Sequence, residues 1–108
     1  MKALLHLREG VTPAGFGTLL ARQIRAGEHK AWELVRSRPL TIRHKGRFKS
    51  VVTLTPPSQR IVREWPRADL VAKMTGADAG FVLRYFVGLV VLKLGESVES
   101  CHLPIDEP

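Results

Sequence analysis

Cysteine is nearly missing from this chain: Cys101 stands alone among 108 residues. One thiol excludes an internal disulfide and a Cys-rich zinc site, and it fits a reducing interior. No apolar run reaches the ~20 residues that cross a bilayer. The longest, Phe81 to Leu94, is interrupted by Arg84 and Lys93. The opening MKALLHLREG lacks the long apolar stretch and small-residue cleavage site of a secretory leader. A cytoplasmic protein without membrane contact is therefore expected. His6, His29, His44 and His102 have no metal-ligand spacing, Glu28, Glu33 and Glu64 are scattered, and the GFG at 15–17 is too short to cradle phosphate. No metal, no cofactor and no enzymatic activity are expected.

Acidic residues are also scarce, ten Asp and Glu against seventeen Lys and Arg, for a net charge of +7. Such an excess favours polyanions as partners, nucleic acid above all. The imbalance is local. Residues 1–65 hold thirteen basic and four acidic residues, and residues 66–108 hold four and six. Hydrophobic residues make up 44% of the chain, enough for one modest core. The expected organisation is a basic part, 1–65, and an apolar oligomerising part, 66–108, within one compact domain.

Local signals outline the elements. Ala3 to Arg8 carries Leu4, Leu5 and Leu7 and reads as a short helix that Gly10 stops. Thr12-Pro13 supplies an N-cap with proline in the first turn, and Phe16, Leu19, Leu20 and Ile24 then recur at helical spacing. Ala31, Trp32 and Val35 mark one face of a third helix over 28–38, which Pro39 ends. Trp32 itself reads as core. Leu40–Arg43 and Phe48–Thr55 are rich in β-branched residues and flank HKGR, a hairpin turn. Ser58 caps a short helix through QRIVREW, and Arg67–Met74 reads as a further helix. Residues 79–94 are apolar almost all round, so a helix there needs cover on every side. Periodicity alone leaves 88–94 open between helix and buried strand. The expected fold is α+β: mostly helical, with a two-stranded antiparallel hairpin and a helical C-terminal dimerisation half.

The order helix, helix, turn, helix, hairpin resembles a winged helix-turn-helix of the bacterial MarR and ArsR type over roughly residues 3–65. ALLHLREGVTP is similar to the first helix and the entry to the second, and KGRFKSVVTLTP to the wing. Ala21, Arg22 and Glu28 depart from that pattern around the turn and the start of the reading helix. ADLVAKMTGADAGFVLRYFVGLVVLKLGESVE resembles the paired N-terminal helices of HU-type histone-like proteins. These resemblances imply a non-enzymatic DNA-binding protein, a dimeric transcriptional regulator, with duplex DNA as the favoured nucleic acid. They place Lys30 and Arg36 on the helix that enters the major groove, Arg36 against a guanine edge. They place Arg43, His44, Lys45, Arg47 and Lys49 on a wing that meets phosphate or the minor groove. Phe81, Tyr85, Phe86, Leu89 and Val90 then form the homodimer interface. Competing readings are an HU-like or RNA-binding basic protein, a small ribonuclease toxin using His44, Lys45 and Arg47, and a protein–protein interaction module.

Overall fold

The computed structural model describes residues 1–46 and 48–105, with the side chains of 104 and 105 left aside. Its strands are β1 (Lys2–Leu7), β2 (Trp32–Ser37), β3 (Leu40–His44), β4 (Val51–Thr55), β5 (Leu70–Thr75) and β6 (Val98–Ile105). They form one antiparallel six-stranded sheet in the order β2-β3-β4-β5-β1-β6. Helices α1 (Pro13–Arg25), α2 (Gln59–Glu64) and α3 (Ala79–Lys93) connect them. This overturns the mostly helical, winged-helix-like expectation. The hairpin is two strands of a sheet that spans the whole chain.

Strand alternation sorts the core into two layers. Ala3, Leu5 and Leu7 of β1, Ile42 of β3, Val52 and Leu54 of β4, and Leu70, Ala72 and Met74 of β5 face one side and pack under α1 and α3. Leu4 and Val71 face the other side and meet Ile61 of α2. β1 and β5 lie inside the sheet and are covered on both faces where they cross α2. Such strands lose the alternating pattern and read as continuous apolar runs, which explains why 3–8 and 67–74 looked helical.

Residues 28–38 form no helix. Trp32 and Leu34 point inward from β2, and the register slips between Leu34 and Arg36, leaving Val35 as an extra, exposed residue. That slip imitates the i, i+3 spacing of a helix face. β1, from the basic 1–65 part, pairs with both β5 and β6 of the apolar 66–108 part, so the two share one sheet.

Other local signals hold. Thr12 accepts the Gly15 N–H at 3.0 Å and caps α1. Ser58 accepts the Ile61 N–H at 3.2 Å and caps α2. Residues 88–93 continue α3 as helix. This helix buries Val82, Phe86, Leu89 and Val90 against the sheet while Phe81, Tyr85, Val91 and Leu92 face outward. Among the described residues no helix is long and apolar enough to cross a membrane.

Candidate nucleic-acid interface

The β3–β4 loop and the outer side of α3 meet at one end of the sheet. Asp78, the residue before α3, holds them together. Its carboxylate accepts the Lys49 N–H at 2.9 Å, the Ser50 N–H at 3.0 Å and the Ser50 hydroxyl. The Ser50 hydroxyl and then the Lys49 N–H stabilise the charged form, so the Asp78 carboxyl sits below the ordinary aspartate range. The loop is tied a second time where the Lys45 N–H donates to the Ala31 carbonyl at 2.7 Å. Within the turn, His44 Nδ1 accepts the Gly46 N–H at 3.1 Å.

This anchoring assembles a run of aromatic rings. Phe81 and Phe48 lie nearly parallel, with centroids 6.1 Å apart. Phe48 meets Tyr85 at 5.3 Å, Tyr85 meets His44 at 4.5 Å, and His44 meets the buried Trp32 edge-on at 5.3 Å. The outer members are open to solvent, Phe81 at 57% and Tyr85 at 49% of full exposure. Rings this exposed contribute little to the core and leave apolar surface open to a partner.

Beside the rings runs a groove of about 540 Å³ between α3 and the 28–32 segment, walled by His29, Trp32, His44, Tyr85, Leu89 and Leu92. Lys30, Arg84 and Lys93 stand on its rim with Glu28, and Lys45 and Lys49 are exposed on the neighbouring loop. His29 is 8% exposed. Its Nε2 lies 2.7 Å from Gln23 Oε1. An amide oxygen only accepts, so Nε2 carries the proton and Nδ1 is left as a buried acceptor with no partner among the described residues. Burial lowers the His29 pKa; Glu28 opposes that shift and Lys93 adds to it.

The residues expected at a nucleic-acid site separate into two groups. Lys30, His44, Lys45 and Lys49 come together at this end of the sheet. Arg47 lies outside the described residues. Arg43 alternates away from Ile42 onto the opposite face, where its Nε donates to Glu33 at 2.7 Å. Arg36 is exposed on edge strand β2 opposite Thr41 and belongs to no reading helix. Of the expected dimer residues, Phe81 and Tyr85 are exposed, whereas Phe86, Leu89 and Val90 are taken up by the chain's own core. Phe48, Arg84 and Lys93 were missed. Charge at a hairpin tip pointed to this loop, but nothing local linked it to the outer side of α3. No family model, curated protein or solved structure matches the chain, winged-helix and HU-type proteins included.

Proposed function

We propose that this protein is a non-enzymatic, cytoplasmic nucleic-acid-binding protein and that its ligand is single-stranded. The Phe81–Phe48–Tyr85–His44 ring run, open to solvent at Phe81 and Tyr85, carries this reading. It lies beside Lys45, Lys49, Lys30, Arg84 and Lys93 on a chain of net charge +7. Unpaired bases stack on aromatic faces while lysines and arginines follow the phosphates. A duplex hides those base faces, and no helix over 28–38 exists to enter its major groove.

The test is fluorescence anisotropy with a labelled fifteen-nucleotide oligouridylate and a random duplex of the same length, across a KCl series. Single strands are expected to bind more tightly than duplex. If all five named cations contact phosphate, the slope of log affinity on log salt reaches about −3.5, at roughly −0.7 per contact. Duplex binding equal to or stronger than single-strand binding refutes the stacking role.

A second reading concerns the C-terminal half of α3. Val91 and Leu92 are 66% and 78% exposed and carry no ring for a base. A second copy of the chain covers them in this reading, giving a homodimer. Sedimentation equilibrium of the wild type and of Leu92→Glu decides it: a dimer that the substitution splits supports it, and a monomeric wild type refutes it.

A further inference from the structure

On the opposite face of the sheet, far from the ring platform, Trp65 closes a cavity that the reading above does not use. Trp65 is the C-cap of α2, fixed by its N–H to the Ile61 carbonyl at 2.7 Å. Its ring meets His102 of β6 at a centroid distance of 4.1 Å. Between them and β1 is a space of about 260 Å³ lined by Leu4, His6, Trp65, Arg67, Ser100 and His102. Its floor is apolar, since Leu4 belongs to the small core cluster beneath α2. Its size suits one flat ring rather than a polymer.

The cavity opens into a polar cleft of about 710 Å³ that shares His6 and Arg67 with it. That cleft carries both signs of charge: Arg8 and Arg67 face Glu9, Asp69 and Glu99. His6 is held between two of the carboxylates, Nδ1 to Asp69 at 3.0 Å and Nε2 to Glu99 at 2.8 Å. Asp69 is fixed further by the Leu7 N–H at 2.8 Å. Glu99 is half exposed. Arg67 is exposed and makes no ion pair or side-chain hydrogen bond among the described residues. A guanidinium free to take a carboxylate in a two-pronged bond therefore stands at the junction of cavity and cleft, and the same cleft is lined by Glu99, a carboxylate able to take an ammonium.

We propose that this is a binding site for a free aromatic amino acid of phenylalanine size. The ring enters the space between β1 and the Trp65–His102 pair, over Leu4, where aromatic edges and apolar floor favour it. The carboxylate meets Arg67 and the ammonium meets Glu99. Mixed charge argues against a polyanion here and for a zwitterion, so the site is independent of the nucleic-acid face. It fits a small-molecule effector.

The experiment is a titration of the full chain, free of nucleic acid, with L-phenylalanine, 3-phenylpropionate and phenethylamine. ¹H–¹⁵N spectra follow the Trp65 indole N–H and the amides of residues 65–69 and 99–102, with calorimetry for affinity. Phenylalanine is expected to shift these resonances. Each analogue, lacking one charge, is expected to bind about tenfold more weakly or worse. Arg67→Ala should erase the advantage of phenylalanine over phenethylamine, and Glu99→Gln its advantage over phenylpropionate. Both side chains are exposed, and the same spectra report whether each variant is folded. No shifts at Trp65 with 10 mM of any compound, equal affinity for all three, or shifts confined to residues 44–49 and 81–85 overturn the proposal.

Discussion

Replacing Tyr85 with alanine separates binding from folding. The ring is 49% exposed and touches His44 and Phe48 rather than the main core. Fully burying a large apolar side chain is worth about 1.5–3 kcal/mol, so removing this half-buried ring costs the fold roughly 1 kcal/mol. Alanine is the better helix former by several tenths of a kcal/mol, which offsets part of that. Tm should therefore fall by no more than about 5 °C. Stacking of one base on an aromatic side chain contributes about 1–3 kcal/mol, so affinity for oligouridylate should fall roughly 5- to 150-fold. Tyr85→Phe keeps the ring and should bind within about twofold of the wild type on the same scale. Val91→Ala removes an exposed apolar side chain on the same helix, outside the groove, and should leave oligonucleotide binding unchanged. The assay is anisotropy at fixed salt, with thermal melts to show that each variant is folded. A folded Tyr85→Ala that binds like the wild type refutes the stacking argument. Equal losses in Tyr85→Ala and Val91→Ala would assign the patch to apolar contact instead.

Asp78→Asn keeps the shape but removes the charge that the Lys49 and Ser50 donors stabilise. Because the folded-state pKa is lowered, the carboxylate's contribution is complete above the unfolded aspartate pKa near 3.9 and is lost as pH falls below it. The wild type should exceed the variant in Tm at pH 7, and the two should converge towards pH 3. His29 has a lowered pKa from burial, so the unfolded chain takes its proton first as pH falls through about 6.5. His29→Gln should flatten the loss of Tm between pH 7.5 and 5 relative to the wild type, and parallel pH curves would contradict the burial argument. Gly76 has φ +112°, and a Cβ there would run into the Ser50 hydroxyl. Gly76→Ala should cost more than about 1 kcal/mol, lowering Tm by roughly 4 °C or more. Phe86→Ala opens a cavity under α3 where the ring is fully buried. Its cost of about 3–5 kcal/mol is a large share of a small domain's stability and should show as a sharply lower urea midpoint.

The elements legible in the sequence are those whose ends carry their own chemistry. Thr12-Pro13 starts α1, Ser58 starts α2, and the β-branched runs around HKGR make β3 and β4. The strands that read as helix were β1, β2 and β5, and each failed for a tertiary reason. Leu4 and Val71 are apolar because α2 covers the second face of the sheet, a fact no window around them contains. Val35 fell into step with Trp32 because of a register slip whose cause lies in pairing with β3. With the β1 and β2 segments read as helices, the winged-helix order follows over 3–65, and with β5 read as helix the HU-type likeness follows beyond it.

The site shows the same division between local and distant information. A cluster of cations around a hairpin turn was visible, and Lys30, His44, Lys45 and Lys49 do gather. Arg43 lies one residue from His44, yet strand alternation sends it to the opposite face and into an ion pair with Glu33. A basic patch drawn along the chain therefore has to be divided by face before it is given a ligand. The rings that change its meaning are more than thirty positions away, on a helix read in sequence as a dimer surface. Three bonds to Asp78 join that helix to the loop. Without them Phe81 and Tyr85 are exposed apolar residues and Lys45 and Lys49 are solvated charges. With them, exposed rings and lysines share one surface, and the proposed hold on an unpaired strand rests on that combination.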